Sequence, residues 1–254
     1  MRTAKQVLLF AFVLLYSLCQ AQDELPTISA DRPGALTGTD VMPHYKLQWE
    51  TGAGYESMTD GPHTFILNYT LLRFGLFKNA EIRVGTDFLL FNEDQAMEPS
   101  FGVAPLTVGM KAQFYEGTGL LPAVALLAEL KSPHVGTEEL LPQHLTPSLH
   151  LLFEHFVNDW FCIGYNVGTE WDGETATPTI FLGLGLYFDI TEQIGTFVET
   201  YNYIHPGEGN RYLTEFGLTW LVSRRVQLDL AADLDFQNFG KHHAASAGVA
   251  WLIN

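Results

Sequence analysis

Residues 226–236 read VQLDLAADLDF. Gln227, Asp229, Ala231, Asp233 and Asp235 take every second position, and Val226, Leu228, Leu230, Ala232, Leu234 and Phe236 stand between them. Successive side chains of a strand point to opposite faces. One face of this strand therefore carries three carboxylates and the other only hydrocarbon.

The same alternation recurs along the chain. Ile82, Val84, Thr86, Phe88 and Leu90 alternate with Glu81, Arg83, Gly85 and Asp87; Ile180, Leu182, Leu184 and Leu186 alternate with Thr179, Phe181, Gly183 and Gly185. Near residue 65 the reading places Phe65, Leu67, Tyr69 and Leu71 on one face against Ile66, Asn68 and Thr70. Counted to the end, the pattern gives about twelve strands. Their connections alternate too. Tight ones (Gly75–Asn79, Tyr115–Gly119, Asn158–Asp159, Asp189–Gln193, Ser223–Arg225) are interleaved with mostly longer, more polar ones (Ser57–Gly61, Asn92–Ser100, Ser132–His144, Asp172–Thr177, Pro206–Arg211, Gln237–His243). Short turns at one end, long loops at the other and strands of about ten residues are the pattern of an outer-membrane barrel.

Composition narrows the function. Acidic residues number 29 against 13 basic, a net charge of −16. Phosphate backbones need the opposite sign, so nucleic acid is excluded as a partner. Residues 1–21 read as a cleaved signal peptide, with Arg2 and Lys5 ahead of the apolar run Val7–Leu18 and Ala21 before the cut. Lipoprotein processing at Cys19 is the rival, and it lacks a small residue at Leu18. Cleavage leaves Cys162 as the one mature cysteine, so no intramolecular disulfide forms. Beyond the leader no run of 18 apolar residues occurs, which argues against a helical membrane protein.

Periodicity alone does not say which face is inside, because a soluble calyx alternates as well. Two features favour lipid outside. The polar face is rich in glycine (Gly52, Gly54, Gly109, Gly183 and Gly248 among others), and the apolar face carries Trp49, Trp171, Trp220 and Trp251 near strand ends, where aromatic girdles sit. Closure also pairs every backbone group within the hydrocarbon. On this reading the lumen holds twelve acids against four bases, Lys46, Arg83, Lys111 and Lys131. The residues expected to set selectivity are Glu50, Asp87, Glu129, Glu154, Glu199, Glu215, Asp229 and Asp233. They also fit plain solvated lumen positions.

The run Ala30-Asp31-Arg32-Pro33, then Pro43, then Gln48-Trp49-Glu50-Thr51-Gly52 resembles the start of the MetA-pathway of phenol degradation family, whose members are predicted outer-membrane transporter barrels. YTLLRFGLFKNAEIRVGT (69–86), PLTVGMKAQF (105–114), LPAVALLAELKSP (121–133) and GYNVGTEW (164–171) extend the resemblance over nearly the whole mature chain. It implies a barrel, an outer-membrane location and a transport role, and it carries no catalytic site. The family name points to aromatic solutes by genetic association alone. The chain departs from many outer-membrane barrels in ending Trp251-Leu252-Ile253-Asn254 rather than on an aromatic residue.

Residues 22–43 form an N-terminal extension ahead of a barrel over 44–254. Asp31 and Arg32 are candidates for a plug, with Arg32 meeting the acidic wall; a solvated periplasmic tail is the other reading. Ser148, His150 and Glu154 share one strand face, but positions two apart lie roughly 7 Å from each other, beyond the reach of a catalytic relay. His134, His144, His205, His242 and His243 fall in loops without zinc spacing. Leu140-Leu141 stand between acids in a loop that reads as a lid or as plain surface. The expectation is an all-β, twelve-stranded transmembrane barrel without enzymatic activity, cofactor or metal. Its partners are outer-membrane lipid and a small-molecule solute, neutral or cationic, taken up passively. A secreted calyx-type binding protein and a plugged structural barrel are the alternatives.

Overall fold

The computed structural model describes residues 27–58, 63–92, 98–207, 209–235 and 242–253. The signal peptide, Phe236 and parts of the loops beginning at Ser57, Asn92 and Gln237 lie outside the described residues. The strands are β1 Leu47–Met58, β2 His63–Phe77, β3 Ala80–Asn92, β4 Ser100–Val103, β5 Thr107–Tyr115, β6 Ala123–Lys131, β7 Thr146–Asn158, β8 Phe161–Glu170, β9 Thr179–Asp189, β10 Ile194–His205, β11 Gly209–Ser223, β12 Val226–Leu234 and β13 His242–Leu252. All pairings between them are antiparallel, and β13 pairs with β1 from Gln48↔Leu252 to Met58↔His242, which closes the barrel.

Both β4 and β5 pair with β3, so they are two halves of one wall strand and the barrel has twelve strands. The interruption is Ala104-Pro105-Leu106, where proline lacks the N–H a ladder needs. The long loop between β6 and β7 takes up the freed backbone. Leu106 N–H donates to the Val135 carbonyl (2.9 Å), Ser132 N–H to that of Leu106 (2.9 Å) and Thr137 N–H to that of Val103 (2.8 Å). Leu140, on a 3₁₀ turn in this loop, rests against Gly102 of β4.

The two faces sort as the alternation expects. On β12, Leu228 and Leu230 are 39% and 58% exposed, whereas Asp229 and Asp233 are 4% and 8% exposed. An oily exterior around a charged interior is the reverse of a soluble calyx. Leu230 sits mid-strand opposite Leu218 and Ala247, on the outer face. Arginine facing lipid at mid-membrane costs roughly 2–4 kcal/mol. Leu230→Arg should therefore lower stability by about that much in a urea titration of the barrel folded into vesicles. A loss no larger than that of Leu230→Ala would place this face away from lipid.

Two side-chain placements are corrected. Against β3 the register of β2 shifts between Ile66 and Asn68, and against β1 it shifts at Gly52/Gly54. The extra residue of such a bulge exchanges the faces of everything beyond it. Phe65 and Leu67 stay outside, but Leu71 and Arg73 turn in, and Tyr69 lines the lumen instead of sharing the outer face. The second correction concerns Trp171. It lies just past β8, turns inward to line the cavities and donates its ring N–H to the Ala176 carbonyl (3.2 Å). Trp220 and Trp251 are exposed outside, as is Trp160 in the β7–β8 turn.

Candidate functional site

Residues 27–46 make an excursion into the barrel and back. Ile28 N–H donates to the carbonyl of Arg224, in the β11–β12 turn, and Tyr45 N–H to that of Gly75 (2.8 Å), beside the β2–β3 turn. Both ends of the excursion are thus held at the short-turn end. Between them the segment follows the inner wall nearly all the way round. Asp31 and Arg32 N–H donate to Glu50 of β1 (3.2 Å each), Leu36 N–H to Glu199 of β10 (3.0 Å), Thr39 N–H to Glu154 of β7 (2.7 Å) and Met42 N–H to Glu81 of β3 (2.7 Å). A chain in irregular conformation leaves its N–H groups unpaired, and a buried one needs an acceptor. The wall carboxylates supply them.

The charged side chains lock the same path. Arg32 forms a two-toothed pair with Asp229 of β12 (Nη2–Oδ1 2.9 Å, Nε–Oδ2 3.3 Å) and lies over the Tyr69 ring at 5.2 Å. Asp31 accepts from Arg83 (2.6 Å) and Lys111 (3.0 Å), with Arg73 at 3.5 Å. Arg73, 0% exposed, donates to Glu50 (3.0 Å), to Glu81 (2.9 Å) and to the carbonyls of Ser29 (2.9 Å) and Asp40 (3.1 Å). Burial alone would raise the pKa of Asp31, but the Arg73, Lys111 and Arg83 charges outweigh it and hold the carboxyl well below the usual range.

The lumen-facing glycines have a steric reason. Asp229, Gly248 and Gly52 are cross-strand neighbours on β12, β13 and β1, and a Cβ on either glycine would overlap the Arg32 guanidinium. Gly183 makes the same kind of room for Leu36, which packs on Phe181, Tyr201 and Leu213. Gly248→Val should therefore expel Arg32 from Asp229 as fully as Arg32→Ala does. Both variants should expose residues 27–46 to added protease to the same extent, and the double variant no more than either alone. Additive effects would separate Gly248 from the Arg32 seat.

Three cavities lie within the barrel, two of them lined in part by the segment. On the loop side one of about 560 Å³ is lined by Asp87, Glu129, Lys131 and Trp171, and another of about 480 Å³ by Tyr201, Tyr203, Asp233 and His242. Lys131, Trp171 and Asp172 line both, so they form one vestibule. On the turn side a third, of about 230 Å³, is lined by Cys162, Tyr187, Glu199 and Gln227. Asp31 and Gly34 line both the 560 Å³ and the 230 Å³ cavities, so at that point the segment alone stands between them.

Of the eight candidate lumen acids, Glu50, Glu154, Glu199 and Asp229 meet the segment directly. Glu215 lies against the Ala35 backbone. Asp87 and Glu129 line the larger cavity, Glu129 at 3.4 Å from Arg83, and Asp233 lines the other. Ser148, His150 and Glu154 are not assembled into a relay. His150 pairs with Glu170 (3.1 Å) and Glu154 with Thr39.

A family model described as "Putative MetA-pathway of phenol degradation" matches residues 30–253. The chain belongs to that family. Searching curated proteins by sequence gives no match. Among solved structures, the COG4313 outer membrane channel from Pseudomonas putida F1 is similar, with a TM-score of 0.66 and 11% identity over 87% of this chain and 99% of that one. The KdgM porin in complex with disordered oligogalacturonate gives 0.56 at 11% identity, over 81% and 99%. The NanC porin gives 0.53 at 9% identity, over 80% and 98%. At such identities these likenesses establish a shared fold.

In this MetA-pathway family chain, sequence reading left out Arg73 as a lumen residue and Tyr69, Tyr201 and Tyr203 as cavity residues. Arg73 stands in LLRFGLF, where straight alternation from Phe65 puts it outside, and only the bulge reverses that. Tyr69 is hidden by the same bulge, while Tyr201 and Tyr203 share β10 with Glu199. Tyr201 stands two positions from Glu199, and its hydroxyl donates to Asp233 of β12, two strands along the same wall.

Proposed function

We propose that the chain is an outer-membrane channel for small solutes, exported behind a cleaved leader, with residues 27–46 acting as a plug that must loosen before solutes pass. The short turns face the periplasm and the long loops the outside, as in other outer-membrane barrels. The observation that carries the reading is the partition at Asp31 and Gly34, set inside a closed barrel with an apolar exterior.

The charge arrangement supports a preference for cationic or neutral solutes. Arg73, Arg83 and Lys111 stand together on β2, β3 and β5, where Asp31, Glu50, Glu81 and Glu129 offset them. Across the lumen, Glu154, Glu199 and Glu215 have no Lys or Arg ion-pair partner among the described residues. Excess carboxylate on one wall attracts cations into a narrow, low-dielectric bore. Full-length protein in a planar bilayer under a KCl gradient should show open events with a reversal potential of the cation-selective sign. The opposite sign would refute the charge reading. A barrel silent both in full length and as Arg32→Ala would instead be a structural one, the reading that the partition also favours.

A further inference from the structure

The 480 Å³ cavity falls within the ~300–1,000 Å³ range of small-molecule sites. Most of its charged groups are engaged, Lys131 at the border with the larger cavity being the exception among the described residues. Arg211 donates to His242 Nδ1 (2.6 Å) and lies 3.5 Å from Glu56, while Glu170 is met by His150 at 3.1 Å. Asp233 differs. The Tyr201 hydroxyl satisfies Oδ2, but Oδ1 is buried and has no hydrogen-bond partner among the described residues. His242 Nδ1 accepts from Arg211, which leaves the proton on Nε2. That nitrogen stands 3.8 Å from Oδ1, beyond hydrogen-bond range.

A carboxylate oxygen held dry and unpaired is costly unless something donates to it. Its surroundings specify the donor. Tyr201 and Tyr203 meet edge to face at 5.9 Å, Phe181 packs on Tyr203 at 5.2 Å, and Trp171 forms another part of the wall, its ring N–H turned away to Ala176. Aromatic faces attract a weakly hydrated cation within about 6 Å of the ring. A hydrated inorganic ion gains little from such walls, and an organic anion would meet Asp233 with the wrong sign.

We propose that this part of the vestibule is a binding site for an organic ammonium ion, the N–H groups donating to Asp233 Oδ1 and the carbon body lying between Trp171 and Tyr203. The proposal deepens the channel reading by naming a solute class, and the site itself exists whether or not the barrel conducts.

Isothermal titration of the refolded full-length barrel in detergent tests it, with phenethylammonium as probe and 2-phenylethanol and phenylacetate as neutral and anionic counterparts. Phenethylammonium should bind, the alcohol more weakly, and phenylacetate least. Asp233→Asn should weaken phenethylammonium about tenfold or more, or about 1.4 kcal/mol, without changing the alcohol. If Asp233→Asn fails the heat-mobility check for folding, Trp171→Ala, which leaves the carboxylate in place, should weaken the probe instead. Equal binding of probe and alcohol, or unchanged affinity in the folded variants, overturns the site. A barrel that binds the probe but passes no current overturns the channel reading and leaves the site standing. One that conducts without binding the probe does the reverse.

Discussion

A chain lacking residues 27–42 should refold into the same barrel and conduct several-fold more than the full-length protein. The wall ladders from β1 to β13 do not include the segment, so closure survives its loss. What disappears is the material between the turn-side and loop-side cavities, together with the cation of Arg32 and the anions of Asp31 and Asp40. Glu199, Glu154 and Asp229 then face water rather than backbone N–H groups and Arg32, while Glu50 keeps Arg73. Single-channel recording of both chains, with heat-modifiable gel mobility as the folding control, decides this. Equal conductance would mean that solute passes around the segment, and the plug reading would fail.

Asp31→Asn should have nearly as large an effect from a change of one charged group. Lys111 is fully buried and relies on Asp31 for its near carboxylate; its other contacts are the Gly38 carbonyl at 3.0 Å and Glu81 at 3.9 Å. Removing one partner of a buried ion pair costs about 3–5 kcal/mol, because the other charge stays in place without its solvent. Here the cost falls on the docked arrangement, since an undocked segment lets water reach Lys111, Arg83 and Arg73. The variant should show long-lived open states, and Asp31→Glu only partial ones. A closed, quiet Asp31→Asn channel would show that the Arg32–Asp229 pair and the backbone bonds to the wall carboxylates hold the segment without the Asp31 charge.

The same clamp sets an acid dependence. The pKa of Asp31 is depressed by its cations, so its contribution to docking is complete above the ordinary carboxylate range. It fades only as pH falls from that range through the lowered value. Mild acidification should therefore leave the Asp31 contribution intact.

The barrel was legible because alternation survives in a sequence whenever one face must be oily and the other must not, and VQLDLAADLDF states that rule without an exception. Where backbone geometry intervenes, it was not. The bulge at residues 66–68 reverses β2 with no glycine or proline of its own at that point to announce it, and so hides Arg73. Trp171 has the phase of a girdle residue, but it lies one position past its strand, where phase no longer constrains direction. The lumen acids were legible as a set, since each shares a strand face with glycine or another polar residue. What they hold was not, because pairs such as Arg32–Asp229 join residues 197 positions apart. Only the conjunction of an extension rich in charge with a wall rich in carboxylate hinted at a meeting, and it left a solvated tail as an equal reading.

The excursion of residues 27–46 draws its acceptors from β1, β3, β7, β10 and β12, which lie on both sides of the seam where the last strand meets the first. No half-formed sheet presents that ring of oxygens. Assembly therefore has an order: the cylinder must zip shut before the N-terminal strap can find its berth, and until then a nascent barrel is hollow.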